Sequence, residues 1–391
     1  ENASSSGKAN LRTTEQAFGD QLHSYTIVDA IRDKTVLPFR VDYLNSFRVR
    51  DGIDNHDVEG IDTDSAYMNP QRISAVVSYI LEHFDQKTKR HASFQYKERR
   101  VNGFNSLFAT SSIKAARAYY QEFKRQQADL PEARRLSVGI IYSYAPNAEA
   151  PGTGLLSEES MDPSALSQDD RAFLDEAIAD YNQQFGSSFG TDASGFEGYY
   201  TSLSTALAER RIDLVIVVDM FLTGFDSKSL NTLWVDKNLR AHGLIQAFSR
   251  TNRILNSVKT FGNIVCFRNL EEATNDAIAL FGNKEARGQV LLRPYGEYLS
   301  TYLETIEQLR IDFPLPIGSI ASEKEQKRFI DLMGQVLRLR NILTSFDDFE
   351  GDDTIAPREL EDYRSVYLDL YHEARERSKV EKEPIADELV F

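Results

Sequence analysis

Gln246, Arg250 and Arg253 stand at i, i+4 and i+7 of the stretch GLIQAFSRTNR, which reads as helix and puts all three on one helical face. A glutamine and two uncompensated arginines there suit an anion whose charge is spread over several oxygens. Arginine stays charged and presents planar, paired donors, so it can stabilise a phosphoryl group in transfer from across an interface. The same arginines could equally be surface residues bonded to nearby acids. Earlier in the chain, Thr223, Gly224 and Asp226 follow the buried run IDLVIVVDM. In open α/β sheets ligands bind just past the carboxyl ends of the strands. Glycine admits close approach of a backbone, and aspartate accepts from a ribose hydroxyl or a partner arginine. Turn chemistry alone would also explain that trio.

These residues act together only if the fold brings them together. From Asn69 the pattern is regular: Ile73, Val76, Val77, Ile80, Leu81 and Phe84 fall on one helical face. The run 104–112 reads as a strand ending in Thr110, Ser111 and Ser112, with Ser112 placed to cap the helix IKAARAYYQEFKRQQ. Further buried strands are predicted at LSVGIIYSY, IDLVIVVDM, LNTLWVD and FGNIVCF, with helices between them, the last being HGLIQAFSRTNRIL. Strands alternating with helices predict a parallel sheet covered on both sides. After Phe267 only helical patterns follow. The expected organisation is a lead-in (1–67), in which Asp20–Leu37 reads as a short helix plus an extended piece and RVDYLNSFRVR as a strand, then an α/β domain (68–270) and an all-helical domain (271–391).

The chain has 391 residues, 41% apolar, 27% charged and 11% aromatic, a globular balance that excludes wholesale disorder and fibrous repeats. No apolar stretch is long enough to span a membrane, and residues 1–14 lack the apolar core of a secretory signal, so a cytoplasmic location is expected. One cysteine, Cys266, excludes an internal disulfide framework or a multi-cysteine zinc site. His56, His83, His91 and His242 have no partner at metal-ligand spacing. The acidic run 51–65 does not fit a calcium loop, and 347–353 reads as an exposed acidic loop. A net charge of −15 argues against a surface that is basic throughout. Residues 71–135 nevertheless hold 13 lysines and arginines against six acids, which suggests one basic face on an acidic body, with a mixed solvated surface as the alternative.

In order along the chain stand a Thr/Ser strand end, a Thr-Gly-x-Asp strand end and a Gln-x-x-x-Arg-x-x-Arg helix. This layout of motor motifs IV, V and VI resembles the second RecA-like lobe of superfamily 2 helicases and translocases. The longer segments FATSSIKAARAYYQEFK, TGFDSKSLNTLWVDKNLRAHGLIQAFSRTNRI, FGDQLHSYTIVDAIRDKTVLPFRVDY and LRLRNILTSFDDF are more specific. They closely resemble the R (restriction and translocation) subunit of type I restriction enzymes, over essentially the whole chain and most strongly at Val217–Ile254. The resemblance implies a RecA-like parallel sheet flanked by helices, followed by an all-α domain. It implies that Arg253 is an arginine finger reaching the γ-phosphate of ATP held mainly by a first motor lobe, that Arg250 accompanies it, and that Gln246 opens the motif. Gly224 and Asp226 would sense nucleotide, with Thr223 beside the DNA backbone. Thr110, Ser111 and Ser112 would lie near DNA phosphates, which hydroxyls and helix N–H groups can hold without reading bases. Ala247 departs from the arginine that many superfamily 2 proteins carry after the glutamine.

The resemblance further implies ATP-dependent translocation of double-stranded DNA coupled to cleavage in a complete subunit. ATP and Mg²⁺ would be its cofactors, and the modification and specificity subunits its partners, docked by the helical region. No Gly-x4-Gly-Lys-[Ser/Thr] loop is present: Gly7-Lys8 is followed by Ala9. Nor is there an evident acidic pair for Mg²⁺ or a nuclease triad. The chain is therefore expected to be a C-terminal fragment with half of an ATP site, a missing first lobe in cis, and no ATP hydrolysis of its own. Another superfamily 2 translocase lobe, or a non-catalytic module that binds nucleic acid or protein, is the alternative.

Overall fold

Apolar runs bounded by turn residues become a six-stranded, all-parallel sheet in the computed structural model. The structure describes residues 25–44, 66–142, 166–281, 287–318, 320, 322–349 and 351–381. Gly7-Lys8, His56, the acidic run 51–65 and nearly all of the expected 145–168 loop lie outside them. The chain divides into two units, Glu1–Ile254 with Phe261–Leu292, and Leu255–Thr260 with Arg293–Phe391.

In the first unit, helix α1 (Ile27–Arg32) precedes strand β1 (Phe39–Tyr43), and helix α2 (Pro70–Lys87) leads to the hairpin β2 (Ser93–Tyr96) and β3 (Arg99–Asn102). Strand β4 (Asn105–Thr110), helix α3 (Ile113–Gln127), strand β5 (Val138–Ile141), helices α4 (Gln168–Phe185) and α5 (Ala193–Ala208), and strand β6 (Leu214–Val217) follow. Then come β7 (Leu230–Asp236), α6 (Ala241–Phe248), β8 (Gly262–Cys266), α7 (Glu271–Phe281) and the short α8 (Arg287–Val290). The strand order is β1-β8-β7-β4-β6-β5. Every residue of β4, β6, β7 and β8 is buried, as a sheet covered on both faces requires.

Local signals set the helix starts. Asn69 accepts from Gln71 N at 2.9 Å with Pro70 as the first helical residue, and Ser112 Oγ accepts from Ala115 N at 3.1 Å, the cap expected from sequence. Ile73, Val76, Val77, Ile80 and Phe84 all face the core.

Three features depart from the expectations. The stretch read as a lead-in supplies β1, which pairs with β8 from Phe39↔Gly262 to Tyr43↔Cys266, with Phe39 fully buried. The first unit also runs past residue 270 through α7, whose Ala277 and Ile278 are buried in the same core. Part of the basic excess is buried or paired with acids, some of them outside its own stretch. Arg72, Lys87 and Lys89 are buried, while Lys97 pairs with Glu209 at 3.2 Å, Lys124 with Asp180 at 2.7 Å and Arg125 with Glu122 at 2.6 Å.

The second unit is built on α9 (Tyr295–Asp312), α10 (Glu323–Leu343) and α11 (Pro357–Glu381), around Tyr302, Leu309, Phe329, Met333 and Tyr363. Asp347, Asp348 and Asp352 of the 347–353 stretch are exposed, as expected, but the stretch is tied down at several points. Phe349 is buried, Asp352 accepts from Tyr295 Oη at 2.6 Å, and Asp353 accepts from Tyr302 Oη at 2.7 Å and Arg340 Nε at 2.8 Å.

Candidate functional site

Helix α6 stops at Phe248, so Arg250 and Arg253 do not share a helical face as the spacing predicts. Ser249 Oγ donates to the Ile245 carbonyl at 2.7 Å and Thr251 Oγ1 to the Phe248 carbonyl at 2.8 Å. The same two carbonyls also accept from Ser249 N at 2.9 Å and Thr251 N at 3.0 Å, so hydroxyl and backbone donors share them as the chain tightens into a turn beyond α6. Thr251 and Asn252 then turn into the core. Asn252 O accepts from Leu37 N at 2.8 Å, and its Nδ2 donates to Leu37 O at 3.2 Å. Gly262 makes this approach possible, because a Cβ there would fall 2.3 Å from Thr251 Oγ1. Leu37 immediately precedes Pro38 and β1, so the chain beyond α6 is anchored at the amino ends of β1 and β8.

The connection from β6 to β7 carries the other half of the site. Phe225 N donates to Thr223 O at 2.8 Å, closing a γ-turn centred on Gly224 at φ +70°. An L side chain is strained at that angle, which explains the glycine. The turn presents the Phe225 carbonyl to Arg250 Nη1 and the Asp226 carboxylate to Arg253 Nε, the latter at 2.9 Å. Both side chains of that ion pair are about half exposed, 50% for Arg253 and 57% for Asp226. Gln246 is exposed, and its backbone carbonyl accepts from Arg250 Nε at 3.1 Å.

The fold therefore brings Thr223, Gly224, Asp226, Gln246, Arg250 and Arg253 into one neighbourhood, through a turn and a helix end rather than a shared helical face. Arg253 is also not uncompensated, since it holds a carboxylate, while Arg250 holds the Phe225 backbone carbonyl. Their place differs too. Residues 218–229 leave the carboxyl end of β6 but return to Ser229, whose carbonyl accepts from Asn105 N at the start of β4 at 3.1 Å. The arginines thus sit toward the amino ends of the strands, not at the carboxyl edge expected for 223–226.

Thr110, Ser111 and Ser112 stand apart, at the carboxyl end of β4. Thr110 is fully buried and its Oγ1 donates to Val217 O at 3.0 Å, so the hydroxyl expected to face a DNA phosphate instead ties β4 to β6. Ser111 and Ser112 are half-buried, and Ser112 caps α3.

Sequence reading missed a buried charge cluster at that same carboxyl edge. Asp236, the last residue of β7, receives Arg72 Nη2 at 2.6 Å and Nη1 at 3.0 Å, Tyr119 Oη at 2.7 Å and Arg268 Nε at 3.1 Å. The Arg268 guanidinium lies 3.8 Å from the centre of the Tyr67 ring. Burial pushes the Asp236 carboxyl up, but the hydrogen bonds and positive charge of Arg72 and Arg268 outweigh it and hold the group below its ordinary value. Next to it, Lys237 Nζ donates to Asp219 Oδ1 at 2.7 Å and to Val218 O at 3.2 Å, clamping the base of the loop that bears Gly224. The partners lie far apart in sequence, Arg72 being 164 residues from Asp236, so no local spacing signals them.

An anion of the phosphate type suits Arg253, which is exposed, rigidly anchored, and has no partner but Asp226 among the described residues. A divalent metal does not find a comparable set: no group of three or more His, Cys, Asp or Glu among the described residues could hold one. Cys266 is a buried core thiol, with burial pushing its pKa up. No helix among the described residues is long and apolar enough to cross a membrane.

Comparison with known proteins gives these features a family. Residues 102–269 match the family described as "Type I restriction enzyme subunit R domain 3", and 290–391 match "Type I restriction and modification enzyme - subunit R C terminal". The endonuclease subunit of type I restriction enzyme SauCOLORF180P from Staphylococcus aureus (strain COL) is 35% identical over 395 residues, covering 99% of this chain and 39% of that protein. The SsaAORF53P endonuclease subunit from Staphylococcus saprophyticus is 36% identical over 390 residues, covering 97% of this chain and 40% of that protein. Among solved structures, a fragment described as an HsdR subunit of a type I restriction enzyme from Vibrio vulnificus aligns at TM-score 0.40 and 12% identity, covering 68% of this chain and 38% of that one. The chain spans about two fifths of the length of the curated relatives it matches. With two successive R-subunit families matched in order and near-complete coverage by R-subunit relatives, the chain belongs to the R-subunit family of type I restriction enzymes.

Proposed function

We propose that the first unit is the second motor lobe of an ATP-driven translocase of double-stranded DNA, within a cytoplasmic type I restriction enzyme. Its helical unit docks the motor onto the modification and specificity subunits, and DNA cleavage is carried out by parts of the subunit beyond this chain. Arg253 is the residue that meets the γ-phosphate of ATP held on a first lobe, and Arg250 fixes the turn beside it. Nucleotide, when bound, supplies a phosphoryl group whose negative charge has to be matched during transfer. Arg253 provides that match from a backbone that cannot drift, because Thr251 and Asn252 beneath it are buried and bonded to Leu37. Gly224 and Asp226 on the facing turn sense the nucleotide, and Thr223 with Ser111 and Ser112 contacts DNA phosphates. The Mg²⁺ that accompanies ATP is held by the first lobe.

One observation carries this reading: an exposed guanidinium on a buried anchor whose single described partner is an exposed carboxylate. The decisive experiment is Arg253→Ala in the subunit that joins this chain to its first lobe. DNA-stimulated ATP turnover should fall by about three orders of magnitude or more, the range an arginine finger contributes, while the buried Trp234 keeps its native fluorescence. Turnover within a few-fold of the parent would refute it.

A further inference from the structure

The contact between Arg253 and Asp226 does not look like a structural tie. Both side chains are about half exposed, and neither has another partner among the described residues. The bond uses Nε and leaves the two terminal nitrogens of Arg253 without a described partner. Everything around the pair is fixed by other means. Arg253 follows the buried Thr251 and Asn252, anchored on Leu37. Asp226 follows the γ-turn at Gly224, whose next carbonyl, that of Phe225, is held by Arg250. Separating the two charges thus requires only that the aspartate side chain rotate into solvent, and no backbone contact is lost.

We infer that Asp226 is an internal competitor for Arg253, a positioning carboxylate that occupies the guanidinium until a phosphate-bearing ligand displaces it. This inference rests on the proposed phosphate role of Arg253 and adds a brake to it. A carboxylate engaging one nitrogen is a weaker partner than a polyphosphate, whose several oxygens can take both terminal nitrogens in the paired geometry that guanidinium favours. The exchange is one anion for another, so it leaves no buried charge in either state. An exposed pair of this kind contributes little, so its loss should tighten phosphate binding by about two- to fivefold.

The test is a titration of the ¹⁵N-labelled chain with inorganic pyrophosphate at low salt. It follows the Nε–H resonance of Arg253, assigned by its disappearance in Arg253→Lys. Asp226→Asn should respond at two- to fivefold lower pyrophosphate than the parent, Asp226→Ala likewise, and Asp226→Glu should retain the parent affinity. Trp234 fluorescence checks that each variant is folded. Equal affinities in parent and Asp226→Asn, or weaker binding in the variant, would overturn the competitor role while leaving Arg253 as a phosphate contact. An Arg253 resonance that answers pyrophosphate in neither protein would overturn the phosphate reading and the brake with it.

Discussion

Asp236→Ala should be the most damaging single change at the carboxyl edge of the sheet. The carboxylate accepts four bonds, two from Arg72 and one each from Tyr119 and Arg268, and its side chain is 2% exposed. Deleting it leaves two arginine side chains, each 5% exposed, facing each other without their counter-charge. Removing one member of a buried ion pair costs about 3–5 kcal/mol. Part is recovered, because Arg72 still donates to Phe267 O at 3.1 Å and Tyr67 O at 3.2 Å, and Arg268 keeps the Tyr67 ring. The lower half of that range is therefore expected. For a unit of this size each kcal/mol lowers Tm by about 2–4 °C, so the melt should fall by roughly 6–16 °C. The chain's one tryptophan, Trp234, is fully buried two residues upstream on the same strand, and its fluorescence reports the transition.

The cluster also fixes an acid limb. The folded pKa of Asp236 lies below its unfolded value of about 3.9, so its stabilisation is complete above that pH and is lost as pH falls through the folded value. Asp236→Asn should flatten that part of the stability profile. A melt of Asp236→Ala within about 2 °C of the parent would show that the arginines are satisfied without the carboxylate and would refute the reasoning.

Gly224→Ala places an L residue at φ +70° and should cost about 1 kcal/mol in the first unit; DNA-stimulated ATP turnover in the assembled motor should fall with it as the Phe225 carbonyl loses its alignment with Arg250. Thr110→Val removes one buried neutral hydrogen bond, costing about 1 kcal/mol by denaturant titration, and should leave DNA affinity unchanged; a clear loss of DNA binding would restore the phosphate role its burial contradicts. Lys89 is buried near Arg40, and burial first, then that charge, pulls its pKa down to about 7. The unfolded chain therefore binds the extra proton between pH 7 and about 10, and stability rises across that window. Lys89→Met should abolish the rise, as melts at pH 7 and 9 would show.

Much of the sheet was legible because its strands are nearly continuous apolar runs: LNTLWVD is β7, and FGNIVCF holds β8. The helix starts were legible where a capping side chain stands next to the run, as at Ser112. Strand β1 was legible as a strand at RVDY, but its place in the sheet was not, because it carries Arg40 and Asp42, which become acceptable there through their mutual pairing at 2.7 Å and the Lys87–Asp42 pair at 3.0 Å. The β2–β3 hairpin escaped notice because its strands hold only exposed and half-buried residues, without an apolar run.

The candidate site shows the deeper limit. Its residues were recognised by type and order, yet the spacing argument that first joined Arg250 to Arg253 fails, because the helix ends at Phe248, before either arginine. What replaces it is a tertiary device. A glycine in a γ-turn on one segment and a buried asparagine on another bring a carboxylate and a guanidinium to 2.9 Å. The contacts that join the halves, Arg250 to Phe225 and Arg253 to Asp226, cross between separate segments, so periodicity cannot find the arrangement, although each residue in it has a local reason for its identity. A helical face would have held Arg253 by one continuous element. Two independently anchored segments let the arginine and its carboxylate separate without disturbing either anchor, which is the freedom a residue needs if it is to exchange one anion for another.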